Sequence, residues 1–310
     1  MHTPVLAGPA LEWLGIREDG TYVDCTAGAG GHAELIAQRL SGGRLIALDR
    51  DSAAVDAARA RLARFTNVTV LHRNYAELAE ALASAGIDKV DGILLDAGLS
   101  SVQLDDPLRG FSFQQEGPLD MRMDTSHGPS AADLLAAADV RSLAQILKDY
   151  GDVGPARRIA ARIIDRRDAG RLASTCDLAE AVSDALAFVR GTPDEVRTVF
   201  QAIRMAVNEE LRWLRSGLEQ AIDALAHQGR LVVIAFHSGE DRVVKNVFRD
   251  AARPSRELLP DGRVKQVIAP RLTVLTPKPV RPGDEEVRAN PRSKSACLRA
   301  AERRREEGSA

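Results

Sequence analysis

The sequence predicts an α/β fold, a parallel sheet interrupted by an all-helical insertion, and three observations carry that prediction. Over the first hundred residues short apolar strand patterns alternate with helical ones. A glycine cluster, AGAGGH, directly follows the first strand. After the fourth strand the strand signal vanishes for roughly 100 residues and only helical periodicity remains.

Each element follows from its local pattern. TYVDCT, Thr21 to Thr26, reads as a strand, and AELIAQRL as the helix after the glycines. RLIALD is a second strand ending at Asp49, followed by the helix SAAVDAARARLARF with Ser52 as its expected cap. NVTVLHRN is a third strand ending near His72, YAELAEALASAG a helix, and VDGILLD a fourth strand ending at Asp96. Such near-continuous apolar strands suit a parallel sheet buried on both faces. A long loop then runs to about Gly128. Helices follow: PSAADLLAAA, VRSLAQILKDYG ending at Gly151, and PARRIAARIIDRRDAG from Pro155 to Gly170. STCDLAEAVSDAL starts on Ser174 as N-cap, and TPDEVRTVFQAIRMAVNEELRWL reads as one helix with Thr192 and Pro193 as cap and first residue. The strand GRLVVIAFHS, Gly229 to Ser238, returns to the sheet. A helix, GEDRVVKNVFRDA, and a strand pair of VKQVIA with LTVLTPK come next, and a Pro-rich tail ends in a charged segment expected to fray. The resulting division is residues 1–105 and 208–310 for the α/β domain and 106–207 for the insertion.

The 310 residues, 45% hydrophobic, are ample for a core, and the net charge of −2 advertises no global basic field. Two stretches are locally basic: eight Arg and Lys against four acids from Arg141 to Arg171, and ten against six from Arg271 to Ala310. Each is either a solvated face or a patch that tracks phosphates. Cys25, Cys176 and Cys297 are spaced neither as a zinc pair nor as a disulfide framework, which fits a reduced cytoplasmic compartment. No apolar run of 18 residues, signal-peptide pattern, repeat or metal-ligand cluster is visible. The expected partners therefore include no membrane and no metal.

The strand ends carry the chemistry. Gly28, Gly30 and Gly31 let the backbone turn tightly and approach a ligand at a helix N-terminus. Gly28-x-Gly30-x-x-Ala33 fits a dinucleotide fingerprint by letter, a weak signal alone. Asp49, 21 positions after Gly28, ends strand two where a carboxylate can accept from both ribose hydroxyls. Asp24 precedes the glycines, where an acid could organise a cationic amino-acid end but has little use beside a pyrophosphate. Asp96 adds an acid at the end of strand four, and Asn74-Tyr75 after strand three could bracket an adenine. Together these favour S-adenosylmethionine over a nicotinamide dinucleotide. Carbon-5 methylation of a pyrimidine needs a Cys nucleophile, and none of the three cysteines follows a Pro after strand four. The acid-or-Asn-Pro-Pro-aromatic motif of many exocyclic-amine DNA methylases is also absent, DAGLSS standing in its place.

RGFSFQQEGPLDMRMD, Arg109 to Asp124, has neither helical nor strand periodicity. With HTPVL at His2 to Leu6, YVDCTAGAGGH, LLDAGLSSVQLDDPLRGFSF, AFHSGEDRVVK and NPRSKSACLRAAE it forms a set of motifs running almost end to end. On these residues the chain resembles the RsmH (MraW) methyltransferases, which methylate the exocyclic N4 of a cytidine in small-subunit ribosomal RNA. RGFSF followed by GPLDMRMD is the most specific part. Departures are small: Tyr75 for a usual Phe, DAGLSS for DLGVSS, HSGED for HSLED. None removes a functional group.

The resemblance implies a Rossmann-like class I S-adenosylmethionine-dependent methyltransferase with an inserted helical RNA-recognition domain. It acts on 16S ribosomal RNA in the small ribosomal subunit, homodimer formation being left open. It implies Gly30, Gly31 and His32 on the methionine side, Asp49 at the ribose, Tyr75 at the adenine, and Asp96 and Gln103 as further cofactor contacts. The joining loop is expected where a flipped cytosine meets the methyl group. There Phe111 or Phe113 would stack on the base and Arg109 and Arg122 would hold phosphates. Asp120, Asp124 or Asp96 would accept the amine proton. Arg157, Arg158, Arg162, Arg166 and Arg167 crowd one helix without matching acids nearby, which reads as phosphate contact. His237 reads as a structural histidine rather than a base, and NPRSKSA either returns to the active face or binds RNA. Two readings from other classes are an NAD-dependent oxidoreductase and a non-catalytic RNA-binding or ribosome-assembly factor. Asp24, Asp96 and the motif-rich loop oppose the first. Intact Gly28, Gly30, Gly31 and Asp49 oppose the second.

Overall fold

The computed structural model describes residues 4–186, 193–258 and 263–305. Thr192, His2, Thr3 and tail residues 306–310 lie outside them. In chain order the elements are α1 (Ala7–Leu14), β1 (Thr21–Asp24), α2 (Gly31–Ala37), β2 (Arg44–Asp49), α3 (Ser52–Leu62), β3 (Val68–His72), α4 (Leu78–Ser84) and β4 (Val90–Asp96). Then come α5 (Ser101–Asp105), α6 (Ala131–Ala137), α7 (Val140–Gly151), α8 (Ala156–Asp168), α9 (Thr175–Ala185), α10 (Asp194–Val207) and α11 (Glu210–Ala224). The last are β5 (Leu225–Ala235), α12 (Ser238–Ala251), β6 (Ser255–Leu258), β7 (Val264–Ile268), β8 (Leu272–Val274), α13 (Asp284–Ala289) and β9 (Cys297–Arg303). Two compact units result, Met1–Gly98 with Leu211–Ala310, and Leu99–Glu210. The sequence set these breaks after residues 105 and 207.

In the first unit seven strands form one sheet in the order β3-β2-β1-β4-β5-β9-β8. The first five are parallel, and β9 runs antiparallel to both β5 and β8. Side chains alternate between the faces. Leu45 and Ala47 of β2 pack with residues of α1, α2 and α3, while Ile46 and Leu48 pack with residues of α4, α11 and α12. Burial on both faces is why these strands are apolar throughout.

Three expectations need correction here. VKQVI pairs with β6, in a separate two-stranded sheet, rather than with LTV, which pairs with β9. The Pro-rich tail, in which the sequence showed no strand, supplies β9, whose Cys297–Ala301 are buried beside β5. The cap of α3 is Asp51, which accepts from the Ala53 N–H at 3.1 Å, not Ser52.

The second unit holds α5 to α10 around its own core. Reciprocal capping pairs start four of its helices: Ser100 with Gln103, Ser130 with Asp133, Asp139 with Ser142, Ser174 with Asp177. Each is worth about 1 kcal/mol. The single helix expected from Pro193 to Leu214 is two helices, the first with Pro193 as its N-cap rather than its first residue, and broken where Glu209 takes a left-handed φ of 46°. The neighbouring Asn208 is committed elsewhere, accepting from the Met123 N–H and donating to the Met121 carbonyl, both at 2.7 Å. The stretch from Gly110 to Gly128 is thus a folded loop anchored to a helix end. Among the described residues no helix is long and apolar enough to cross a membrane.

Candidate active site

Three acids end adjacent strands at the carboxyl edge of the sheet: Asp24 on β1, Asp49 on β2 and Asp96 on β4. The turn after β1 is held by them. Gly28 and Gly30 sit at φ of 53° and 80°, where a side chain would be strained. The Gly28 N–H donates to Asp49 Oδ2 at 2.8 Å, and the Asp51 N–H to Asp49 Oδ1 at 2.9 Å. Asp49 therefore supports the turn rather than capping a helix, and each oxygen keeps a lone pair for a further donor. The Thr26 N–H donates to Asp24 Oδ1 at 3.1 Å, while the Thr26 hydroxyl oxygen accepts the Asp96 N–H at 2.6 Å.

Two oxygens of this cluster, Asp24 Oδ2 and Asp96 Oδ1, are buried without a hydrogen-bond partner. A buried acceptor left in that state costs about 1–3 kcal/mol. Burial pushes the Asp24 carboxyl up to about 7, and the Asp49 charge adds to it against the opposing N–H groups of Thr26 and Ala33. Asp49 is raised by burial, against the N–H groups of Asp51 and Gly28. Asp96 is raised well above the carboxylate range by burial, then by the charges of Asp24 and Glu240. Clustered acids with unmet acceptors suit a cationic ligand rich in donors.

The other expected cofactor residues of this unit line the same strand ends. Gly31 and His32 open α2. The His32 ring is 5% exposed, with Nε2 3.0 Å from the Val5 carbonyl oxygen and Nδ1 3.5 Å from Asp96 Oδ2. Tyr75 follows β3 in a short 3-10 turn capped by Asn74 and packs against the core below. Gly217 of α11 makes room for its ring, since a Cβ there would stand 2.5 Å from Tyr75 Cδ2. His237 caps α12, its Nδ1 accepting the Glu240 N–H at 3.3 Å, while its Nε2 lies 3.2 Å from Glu240 Oε1.

Gln103, in the second unit, is buried and closes the capping box of α5 with Ser100. The loop residues are more occupied than their sequence suggested. Phe111 is 7% exposed and belongs to the helical core with Met121 and Met123, so it is a packing residue rather than a platform for a base. Phe113 is half-buried against Phe200, ring centroids 5.4 Å apart at 60°. The Arg109 guanidinium donates to the carbonyls of Arg122 and Met123 at 3.0 and 2.9 Å. Arg122 forms a two-pronged pair with Asp120 at 3.0 and 2.6 Å. Burial works to raise the Asp120 carboxyl, but Arg122 outweighs it and holds the group below the usual range. That makes Asp120 a poor proton acceptor and Arg122 a loop tie. Asp124 Oδ1 accepts from the Ser126 N–H and hydroxyl at 2.9 and 2.6 Å.

On α8, Arg157 and Arg158 are exposed. The acids found missing from its sequence come from α9 instead. Asp184 pairs with Arg162 at 3.0 Å and with Arg166 at 3.1 Å, and Glu180 pairs with Arg166 at 3.0 Å. Arg167 caps the end of α6, donating to the Leu135 and Ala138 carbonyls at 2.8 and 2.6 Å. The sequence also missed the roles of Thr26, Val5 and Glu240. HTPVL was the signal for Val5, but its partner lies 27 residues away.

Residues 1–304 match the family described as the MraW methylase family. The chain belongs to that family. This MraW-family methylase is 46% identical over 297 residues to the ribosomal RNA small subunit methyltransferase H of Methylococcus capsulatus, covering 95% of this chain and 98% of that one. It is 45% identical over 308 residues to the protein of that name from Methylobacillus flagellatus, covering 97% and 94%. A solved rRNA methylase from Streptococcus thermophilus aligns over 98% of this chain and 99% of that one at 11% identity, with a TM-score of 0.44. The methylase has the Rossmann-like class I S-adenosylmethionine-dependent methyltransferase fold, with an inserted unit whose named elements, among the described residues, are all helical. Its antiparallel β9 departs from the 3-2-1-4-5-6 order of dinucleotide folds.

Proposed function

We propose that this methylase transfers a methyl group from S-adenosylmethionine to the exocyclic N4 of a cytidine in 16S ribosomal RNA of the small subunit, in the cytoplasm. The observation that carries the reading is the pair of partnerless buried oxygens on Asp24 and Asp96 at the strand ends. An ammonium and a sulfonium are the cations such a pair would suit, and the turn held by Gly28 and Asp49 adds acceptors for a ribose diol. Tyr75 offers its ring to the adenine. The names of the curated relatives supply the substrate class.

Bound S-adenosylmethionine supplies an electrophilic methyl whose carbon–sulfur bond breaks with its electron pair kept by sulfur. The protein has two tasks, to align the amine and to accept its proton. Cytosine's amino lone pair is delocalised into the ring, so an acceptor that draws the amine toward tetrahedral geometry assists attack. Asp96 is the acceptor proposed. Asp120 is spent on Arg122, and Asp124 accepts from Ser126. We assign RNA reading to the helical unit, with Arg157 and Arg158 of α8 as phosphate contacts and Phe113 as the base-side ring.

The test is methyl transfer from labelled S-adenosylmethionine to small ribosomal subunits lacking the modification, followed by digestion to nucleosides. Label in N4-methylcytidine is expected. Label in another nucleoside, or tight S-adenosylhomocysteine binding without transfer, overturns the reading, and the second outcome favours an assembly factor.

A further inference from the structure

We infer that His32 is a positioning residue for the methyl-transfer step, taking up through Asp96 the proton that leaves the amine. The inference rests on the cytosine-amine reading above and names the end of its proton path.

The ring's orientation settles its chemistry. A backbone carbonyl can only accept, so the 3.0 Å contact with Val5 places a hydrogen on Nε2. The neutral ring then turns its Nδ1 lone pair to Asp96 Oδ2, 3.5 Å away. With no proton between them, two lone pairs would face each other. One proton held between Oδ2 and Nδ1 removes that repulsion and leaves Oδ1, the buried oxygen without a partner, as the open end of the pair.

The Val5 carbonyl is itself held in place. The Leu6 N–H donates to Glu286 Oε1 of α13 at 2.6 Å. On its other side the Pro4 ring lies so close that a Cβ on Gly31 would stand 2.8 Å from Pro4 Cγ. Asp24 on β1 and Glu240 on α12 face Asp96, and their charges favour a protonated pair.

The step balances. N4 gains the methyl carbon and loses one proton to Asp96 Oδ1. As that O–H forms, the proton between Oδ2 and Nδ1 passes to Nδ1. The result is a neutral carboxyl and an imidazolium whose two N–H groups each have an acceptor, Val5 oxygen and Asp96 Oδ2. Loss of the extra proton to water restores the resting pair.

The experiment combines nitrogen-15 NMR of histidine-labelled protein bound to S-adenosylhomocysteine with single-turnover methyl transfer against pH. His32→Asn and His32→Gln are compared with the unaltered protein, and S-adenosylhomocysteine affinity is measured for each. Expected, at saturating S-adenosylmethionine so that any change in affinity is separated from the step, are an Nε2–H tautomer for His32 in the unaltered protein, and in both variants transfer slowed about 10- to 100-fold with an altered pH profile. Glu286→Ala, which frees the Val5 carbonyl, should weaken the tautomer preference and slow transfer less. An Nδ1–H tautomer overturns the inference, as do variants that keep the original rate and pH profile. If the unaltered protein makes no N4-methylcytidine, the parent reading fails instead, and the tautomer still reports on the His32 pair.

Discussion

Replacing Asp24 by Asn should stabilise the cofactor-free protein above neutral pH. Asp24 is wholly buried, and its carboxyl is raised to about 7 from an ordinary value near 4. A carboxyl raised in the folded state binds its proton more tightly there than in the unfolded chain. Its contribution is full below pH 4 and is lost as pH rises toward 7. Three pH units at about 1.4 kcal/mol each give a loss of about 4 kcal/mol, complete above pH 7. Asn cannot ionise, so this loss disappears in the variant. Its oxygen still accepts from Thr26, while its NH₂ takes the place of the partnerless Oδ2 and costs about 1 kcal/mol at every pH. The variant should therefore be about equal in stability to the unaltered protein at pH 4.5, where the loss has reached about 1 kcal/mol, and more stable by about 3 kcal/mol at pH 8. Urea unfolding at pH 4.5, 6, 7 and 8, without cofactor, measures the gap. Asp49 and Asp96 are present in both proteins, and loss of the Asp24 charge relieves the upward push on Asp96, which acts in the same direction. A gap that does not change with pH would refute the reasoning.

Gly217→Ala should push the Tyr75 ring aside at a cost of about 1–3 kcal/mol and weaken S-adenosylhomocysteine binding roughly tenfold by calorimetry. Asn208→Ala strands the Met121 carbonyl and the Met123 N–H in a buried site, and denaturant titration should show a loss of about 2–3 kcal/mol. Arg157→Ala with Arg158→Ala should lower affinity for ribosomal RNA and flatten its salt dependence by about two charges. Arg166→Ala, by contrast, should lower stability with little change in the salt slope, because that guanidinium is taken by Glu180 and Asp184.

What the sequence made legible follows from the range over which each feature is determined. Apolar runs ending in Asp49 and Asp96 mark strands buried on both faces, and Ser174 with Asp177 marks a helix start within four residues. Features fixed at a distance were not legible. The run CLRAAER reads only as part of a Pro-rich, charged tail until it meets β5, about 70 residues earlier in the chain. Nothing in AVNEELRW shows a break, because the reason is the hydrogen bonds of Asn208 to a loop 85 residues away. The arginines of α8 look unmatched because their acids sit on α9. At the site, the three strand-end acids could be read from position alone. That two of their oxygens lack partners, and that Val5 fixes the His32 ring, required the fold.

Calorimetric titration with S-adenosylmethionine, S-adenosylhomocysteine and NADH at pH 5.5 and pH 7 bears hardest on the assignment of the strand-end acids to a cationic cofactor. A group titrating near 7 must ionise before it can receive a cation, so S-adenosylmethionine affinity should rise on the order of tenfold between the two pH values. That rise should vanish in Asp24→Asn, and NADH should not bind. Affinity that is independent of pH in the unaltered protein, or NADH binding as tight as that of S-adenosylmethionine, would contradict it.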